Sequence, residues 1–191
     1  MSVSHRKDSI VKTSIEVMNE YGVQALSTKE VAKREGISEG AIFKHFPKKN
    51  DLIVATLEQY AEYDEVIFEA INQKSMDAKE AIVYFFDEFS SHYEEYPAIT
   101  AIDQALDELR YNPELEERIK EVIDKRREYL LTLIEKGQRT GLIENDLDKA
   151  DLVEIILGTF HGICLKWRIS NYNFSLKEKT LRAIKMVLGI F

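Results

Sequence analysis

The most constraining feature of this chain is residues 27–52, in which two helix-capping serines lie close together with a glycine between them. Ser27 and Glu30 have the spacing of a capping box, so a helix is predicted over residues 28–35. Gly36 comes next, and glycine adopts the left-handed conformation that ends a helix at little cost. This stretch is therefore expected to hold two short helices with a tight turn between them.

The second helix is predicted over residues 39–45, capped by Ser38 and anchored by Ile37, Ile42 and Phe46. Two short helices joined by a glycine turn can place a recognition helix in the major groove of DNA. The alternative is a pair of ordinary amphipathic helices followed by a solvated charge run. Under the first interpretation, the outward-facing and basic residues that could contact DNA are Glu39, Gly40, Ala41, Lys44, His45, Lys48 and Lys49.

The same stretch resembles the DNA-binding domain of the TetR (tetracycline-repressor-like) family of bacterial transcription regulators. The resemblance rests on the helix at residues 10–21, the segments 27–32 and 36–38, and residues 42–46 leading to Lys49. It covers about the first quarter of the chain. It implies an all-helical homodimer whose C-terminal bundle binds a small molecule. Such proteins are usually repressors, and the small molecule releases them from DNA.

The resemblance also implies roles for individual residues. Thr28, His45 and Lys49 match phosphate-contacting positions, and the outward residues of the second helix match base-facing ones. Phe43 departs from the family pattern, since the tyrosine that many members carry there reaches a phosphate through its hydroxyl. Glu39 either accepts a hydrogen bond from a cytosine amino group or points away from the groove. The predicted DNA-binding residues are Thr28, Lys29, Ser38, Glu39, Gly40, Ala41, Phe43, Lys44, His45, Lys48 and Lys49.

The charge distribution agrees with a DNA-binding head on an acidic body. The 191 residues carry a formal net charge of −8. Residues 1–51 hold 9 Lys and Arg against 7 Asp and Glu, a net charge of +2, and the remainder carries −10. An acidic body confines DNA contact to the head. We predict a helix-turn-helix DNA-binding domain over residues 1–50 and a ligand-binding and dimerisation domain over residues 51–191.

Composition and spacing predict an all-α protein of the cytoplasm. The single cysteine, Cys164, excludes an internal disulfide framework and fits a reducing compartment. Residues 1–12 lack the apolar core of a signal peptide, and no run approaches the ~18 apolar residues that span a bilayer. The expected fold is an N-terminal three-helix helix-turn-helix domain followed by a C-terminal helical bundle, about nine helices in all. Apart from residues 28–45, helices are predicted over residues 7–21, 51–73, 77–96, 99–109, 114–140, 148–170 and from 176 onward.

The helix over residues 148–170 is apolar on nearly all faces, so it should be buried against both its own core and a second subunit. Gly158 and Gly162 lie four residues apart, which lets a neighbouring helix approach closely. The family resemblance implies that the last two helices form a four-helix dimer interface. The predicted interface residues are Leu157, Gly158, His161, Leu165, Leu181, Ile184 and Leu188.

The aromatic residues of the middle helices form either plain core or a large apolar pocket. Arg126 falls within an apolar stripe, where it needs a carboxylate partner or a stem that reaches solvent. It could also be the counter-ion of an acidic ligand. The candidate ligand-binding residues are Tyr63, Phe86, Phe89, Arg126, Tyr129, Phe160 and Cys164.

Enzyme and metal chemistry are not predicted. His161 and Cys164 are three residues apart on one helix and could bind the same metal ion. Because the sequence has no further cysteine and no other histidine nearby, we interpret them instead as a hydrogen-bonded core histidine and a buried thiol. There is no phosphate loop or nucleophile motif, and no cofactor is expected. The predicted function is a homodimeric transcription regulator, a repressor released from a palindromic double-stranded DNA operator by a small hydrophobic ligand, with no membrane partner. The alternative is a constitutive DNA-binding regulator without an effector.

Overall fold

Helices account for the regular structure of the part of the chain that the computed structural model describes, residues 3–190, with side chains from His5 onward. Two single 3-10 turns, Val23–Ala25 and Pro97–Ile99, interrupt the connections. The nine α-helices of these residues are α1 (Val3–Tyr21), α2 (Thr28–Glu35), α3 (Glu39–Phe43), α4 (Lys49–Gln73), α5 (Ala78–Glu95), α6 (Thr100–Leu109), α7 (Pro113–Arg139), α8 (Lys149–Ile169) and α9 (Leu176–Val187). The all-α prediction is therefore confirmed, and no described helix is long and apolar enough to cross a bilayer.

Three helices of the second unit begin at residues whose side chains cap them. Asp77 opens α5 with a complete capping box to Glu80, and Ser175 opens α9 by accepting a hydrogen bond from the Glu178 amide. Asp148 caps α8 in the same way, through the amides of its second and third residues. These side chains satisfy amides that a helix start would otherwise leave without partners.

Three boundaries differ from prediction by two residues or more, and one of them is the start of α4, at Lys49 rather than residue 51. The sequence predicts a short N-terminal arm over residues 1–7, of which the first two residues lie outside the described part of the chain. α1 begins at Val3 rather than Lys7, because no proline or glycine lies between these residues to stop the helix. α3 ends at Phe43 rather than His45. The cause is Pro47, which disfavours helical backbone at the residue before it, while that residue, Phe46, turns its ring into the core.

The chain divides into two compact units. The first comprises the residues up to Tyr63 together with Pro97–Ile123, and the second comprises Asp64–Tyr96 together with the residues from Asp124 onward. α4 and α7 each contribute residues to both units without a break in the helix. The predicted division of function at residue 50 stays a prediction.

In the first unit, α1 packs against α2, α6 and both 3-10 turns. A polar network holds α1 on α2. Arg34 donates two hydrogen bonds to Glu20, at 2.9 and 2.7 Å, and a third to Glu30 at 3.2 Å. The hydrogen bonds from Arg34 lower the pKa of the Glu20 carboxyl. Ser9 and Thr13 of α1 both donate to Glu35 at the end of α2. α1 thus braces α2 of the predicted DNA reader.

In the second unit, α9 packs against both α5 and α8. Its first turn is fixed by Glu94 of α5, whose carboxylate accepts from the Ser175 hydroxyl at 3.0 Å and the Lys177 amide at 3.1 Å. The core between these helices contains the fully buried rings of Phe85, Phe86 and other aromatic residues. The apolar stripes seen in the sequence thus become the inner faces of this unit.

Gly137 of α7 allows a close packing contact in the second unit. A Cβ built at this position would lie 2.6 Å from Ile143 Cδ1 and 3.0 Å from Ala78 Cβ. We expect Gly137→Ala to lower the free energy of unfolding by about 1–3 kcal/mol, because the neighbours must move to admit the methyl group. Chemical denaturation measures the change.

Gly40→Ala is the matched control, since its Cβ would meet only Ser38 Oγ at 3.9 Å. Alanine is the better helix former by up to about 1 kcal/mol, so this variant should be as stable as the parent or more so. Equal stability of the parent and Gly137→Ala would contradict the packing at this glycine.

Candidate functional site

The two short helices of the first unit are built as the sequence predicts. The Ser27 hydroxyl accepts from the Glu30 amide at 3.2 Å, and the Ser38 hydroxyl accepts from the Ala41 amide at 3.2 Å. Gly36 has a φ of 65°, in the left-handed region, and the Ile37 amide bonds back to the Ala32 carbonyl at 3.0 Å. This turn sets the direction of α3 relative to α2, because its backbone is fixed by hydrogen bonds on both sides of the glycine.

Only half of the predicted capping box forms at the start of α2. The Glu30 carboxylate accepts from Arg34 Nε rather than from the Ser27 amide. Glu30 therefore belongs to the network that holds α2 on α1, and the helix start depends on the Ser27 hydroxyl alone.

The candidate DNA-binding residues lie on one accessible surface of the first unit. Of the eleven, Thr28, Ala41 and His45 are half-buried, and the other eight are exposed. Ile42 and Phe46, on the opposite side of the same segment, are buried. Phe43 is 45% exposed, so an apolar ring faces solvent where a base or sugar could cover it. The outward face predicted from the sequence is thus open to solvent.

Thr28 and Glu39 contact each other on this surface. The Thr28 hydroxyl donates to Glu39 Oε1 at 2.6 Å, which joins the start of α2 to the start of α3. The sequence treats these two residues as separate DNA contacts. In the structure they share one hydrogen bond, so Thr28 must release Glu39 before its hydroxyl can donate to a phosphate.

The basic end of the surface lies at the start of α4. Lys48 and Lys49 are exposed, and the Lys48 amide donates to Asp51 Oδ2 at 2.9 Å. Asn50 is held by Asn112, at 3.1 Å, and by Glu114, at 2.5 Å. This first turn is therefore a fixed platform from which two lysine ammonium groups reach into solvent.

Five of the candidate ligand residues belong to the buried interior of the second unit. The ring of Phe160 lies 5.2 Å from that of Phe86 and 6.3 Å from that of Phe89, centroid to centroid. Tyr129 stacks on Phe68 at 3.8 Å, outside this group of rings. The remaining buried candidates are Arg126 and Cys164. Tyr63, the seventh candidate, belongs to the first unit, so it is not part of this interior.

Arg126 forms a buried ion pair, as one interpretation of the sequence predicts. Its Nη2 lies 2.9 Å from Asp64 Oδ1 and its Nε lies 3.2 Å from Asp64 Oδ2. The guanidinium carbon lies 4.3 Å from the centroid of the Phe89 ring. Arg126 is 5% exposed and Asp64 only 1%. The sequence offered no signal for this partner, which lies 62 residues away in the chain.

The candidate dimer residues divide into two groups. Gly158, His161 and Leu165 are exposed on α8. Ile184 is fully buried, and Leu157 and Leu188 are nearly so, all within the chain's own core. These three therefore have little surface to offer a partner: Leu157 is on the buried face of α8, and Ile184 and Leu188 are on the buried side of α9, which packs against α5 and α8. Leu181 is half-buried.

α8 has one buried face and one exposed apolar face. The exposed face is defined by residues three or four apart and is named the α8 stripe: Ile155, Gly158, Gly162, Leu165 and Ile169. A Cβ at either of its glycines would meet nothing within 4 Å. Sequence reasoning missed Ile155 and Ile169, although their helical spacing with the two glycines was available as a signal.

The position of His161 differs from the expectation of a core histidine. It is exposed on α8 rather than a core histidine, because it follows the stripe rather than the buried face. Cys164 is buried, as predicted. Within the described residues, no group of three His, Cys, Asp or Glu side chains is arranged to hold a metal ion.

Two models of known protein families match consecutive parts of this chain. A family model described as "Bacterial regulatory proteins, tetR family" matches residues 10–56, and one described as "YsiA-like protein, C-terminal region" matches residues 56–189. The "Fatty acid metabolism regulator protein" of Bacillus subtilis (strain 168) is 23% identical over 181 residues, covering 94% of this chain and 92% of that protein. The "Nucleoid occlusion factor SlmA" of Haemophilus ducreyi is 29% identical over 127 residues, covering 64% of this chain and 61% of that protein.

A solved structure has the same fold. The crystal structure of the transcriptional regulator FadR from Bacillus subtilis in complex with stearoyl-CoA superposes with a TM-score of 0.83. It shares 22% sequence identity, and the alignment covers 96% of this chain and 98% of that chain. At this identity the likeness establishes the shared fold.

The Asp64–Arg126 pair generates a stability prediction. Arg126→Met removes the cation and leaves a buried carboxylate without it, so we expect a loss of about 3–5 kcal/mol in the free energy of unfolding. The double variant Asp64→Leu with Arg126→Met removes both charges and should recover most of that loss. Denaturant titration of the parent and the variants, including Asp64→Leu alone, measures the coupling. Additive losses would contradict a direct, buried interaction.

Proposed function

The chain belongs to the tetR family of bacterial regulatory proteins, and from that premise we propose that it is a homodimeric repressor that a small hydrophobic ligand releases from a palindromic operator. It is a transcriptional regulator rather than an enzyme, as are the FadR protein and the fatty acid metabolism regulator to which it is similar. We place its action in the cytoplasm, where its DNA target would lie.

The observation that carries the proposal is the capped helix-turn-helix with its accessible outer face. Gly40 is exposed on α3, and it has no side chain to hold the helix backbone away from base edges. Lys44 lies at the end of the same helix, and Lys48 and Lys49 follow at the start of α4. In the proposed complex, the outer residues of α3 up to Lys44 read bases, and Lys48 and Lys49 neutralise phosphates beside the end of that helix.

Dimerisation is supported by the α8 stripe. An apolar helix face that is exposed on one chain is stabilised when a second copy covers it. Its two glycines let two helix backbones approach closely at the centre, and Ile155 and Leu165 lie on either side of them. A two-fold dimer presents two recognition helices, which suits half-sites about 34–36 Å apart on DNA.

The effector is proposed to be a fatty acyl compound. The name of the Bacillus subtilis relative and the stearoyl-CoA in the FadR crystal structure support this class, and the aromatic interior of the second unit supplies apolar surface for an acyl chain. Phe86, Phe89 and Phe160 are packed against one another, so an acyl chain must displace rings to enter. Binding would therefore rearrange this interior.

α4 provides a route from ligand to DNA. It begins beside the DNA-facing lysines at Lys49 and continues as one helix into the second unit from Asp64. A ligand that binds better to one position of the second half of α4 shifts the population toward that position, and the first half moves with it. Affinity for the operator then falls by the difference in ligand affinity between the two states.

Selection of a randomised duplex library on the purified protein tests the DNA-binding proposal. Recovery of a two-fold palindrome is expected, and its absence with folded, ligand-stripped protein would contradict it. Fluorescence anisotropy of the recovered duplex, titrated with stearoyl-CoA and with free CoA as the control, then tests the effector. An operator complex that no acyl compound dissociates would favour a constitutive regulator.

Lys49 is expected to contact a phosphate. Lys49→Ala should weaken binding to all duplex sequences alike and reduce the slope of log K against log salt by about one unit, because one counterion fewer is released. Anisotropy titrations at several salt concentrations measure the slope. Lys120→Ala, an exposed lysine of α7, is the control and should leave the slope unchanged. An unaltered slope in Lys49→Ala would remove Lys49 from the phosphate contacts.

Ile155 is expected to be an interface residue. Ile155→Asp places a charge in the α8 stripe and should raise the dimer dissociation constant by about a hundredfold, since the carboxylate loses its water on association. Sedimentation at several protein concentrations measures this. Val66→Asp is the matched control, because Val66 is 56% exposed and Ile155 54%. If both variants keep the parent's mass, α8 does not form the interface.

A further inference from the structure

Three cations converge on one depression in the second unit. Lys166 comes from the last turns of α8, and Lys179 and Arg182 lie one turn apart on α9. The depression has a volume of about 350 Å³, and Phe174, Ser175 and Glu178 complete its lining. We name Lys166, Lys179 and Arg182 the basic cleft.

The basic cleft differs from its surroundings because no carboxylate neutralises it. Elsewhere in the same unit, Arg127 pairs with Glu154 at 2.7 Å. Lys177 likewise pairs with Asp87 at 2.9 Å. Among the residues the structure describes, no such ion pair involves a cation of the basic cleft, although Glu178 lies in the lining. The lining of the depression holds three cations against the single carboxylate of Glu178, so in a chain with a net charge of −8 it forms a local positive field.

The geometry disfavours three positive charges without an anion. Partial burial, followed by the charges of Lys166 and Arg182, lowers the pKa of the Lys179 ammonium. The Lys179 Nζ lies 4.5 Å from the centroid of the Phe174 ring, which is half-buried. An anion placed among the three would relieve their mutual repulsion and raise the pKa of Lys179 again.

Side chains, rather than the start of α9, would hold this anion. The Lys177 amide already donates to Glu94, and the Glu178 amide to the Ser175 hydroxyl. The Lys179 amide donates to the Ser175 carbonyl at 3.3 Å. Since these amides have partners, the ammonium and guanidinium groups are the donors that remain for a ligand.

We propose that the basic cleft is a binding site for a phosphate-bearing small molecule, with a pyrophosphate group as the best match to its three cations. Arg182 can donate two parallel hydrogen bonds to one phosphate, and the two lysines act as point charges on its neighbour. The volume of about 350 Å³ is near the lower end of the ~300–1,000 Å³ usual for small-molecule sites. The cleft therefore has room for the phosphates and part of an organic group beside Phe174.

Isothermal titration calorimetry of the full-length protein with sodium pyrophosphate and with ADP, at constant ionic strength, tests the site. Both probes lack an acyl chain and the experiment contains no DNA, so its outcome is independent of the proposed repressor function. Tighter binding of ADP than of pyrophosphate would identify an organic phosphate as the ligand, and equal binding would identify the inorganic anion.

The double variant Lys179→Ala with Arg182→Ala should weaken pyrophosphate binding by about a hundredfold, about tenfold for each charge-assisted contact removed. Lys185→Ala together with Lys136→Ala removes two exposed lysines outside the cleft and is the control for net charge. Circular dichroism establishes that each variant is folded, and Arg182→Gln, which keeps the side-chain stem, serves if the double variant is not.

Three results would overturn the proposal. The first is equal weakening in the cleft and control variants, which would reduce the effect to net charge. The second is the absence of saturable binding to the parent. The third is a cleft variant that loses dimer mass in sedimentation while binding pyrophosphate as the parent does. That result would make the basic cleft a contact for carboxylates of a second copy.

Discussion

The buried pair between Asp64 and Arg126 is the polar contact that most constrains how the second unit can pack. It joins α4 to α7, the two helices that contribute residues to both units without a break. A carboxylate and a guanidinium that are almost fully removed from water stabilise a structure only in the geometry that satisfies both. The bidentate contact therefore fixes the register of the two helices where they enter the aromatic interior, and Phe89 covers the guanidinium.

The DNA-facing surface depends on a different kind of restraint. α3 is only five residues long, too short to be stable alone, and its position is set by the Gly36 turn and by buried Ile42. Polar contacts from Glu35 and Arg34 then hold α2 on α1. Because α2 is held on α1, it fixes the position of the short helix α3. The outer face of α3 therefore does not need side chains that contact the rest of the protein. That division leaves the outer face open to solvent, where the proposed contact with DNA lies.

The two faces of α8 have separate roles. Its inner face is buried against the chain's own core, whereas the α8 stripe and the basic cleft beside it remain open to solvent. We propose that each is covered from outside the chain, the apolar stripe by a second copy and the basic cleft by an anion. One face of α8 thus packs in the core of the second unit, and the other face is available to the proposed partners.

The sequence by itself determined the helices, the glycine turn and which side of the two short helices faces outward, because caps, turn residues and apolar spacing act over a few residues. Ser27, Gly36, Ser38 and Ser175 are in the roles their spacing predicts. Only the tertiary structure decided the partner of Arg126, the Thr28–Glu39 contact and the burial of Ile184, since each depends on residues distant in the sequence. Periodicity shows that a face is apolar, whereas packing decides whether the chain's own core or a partner covers it.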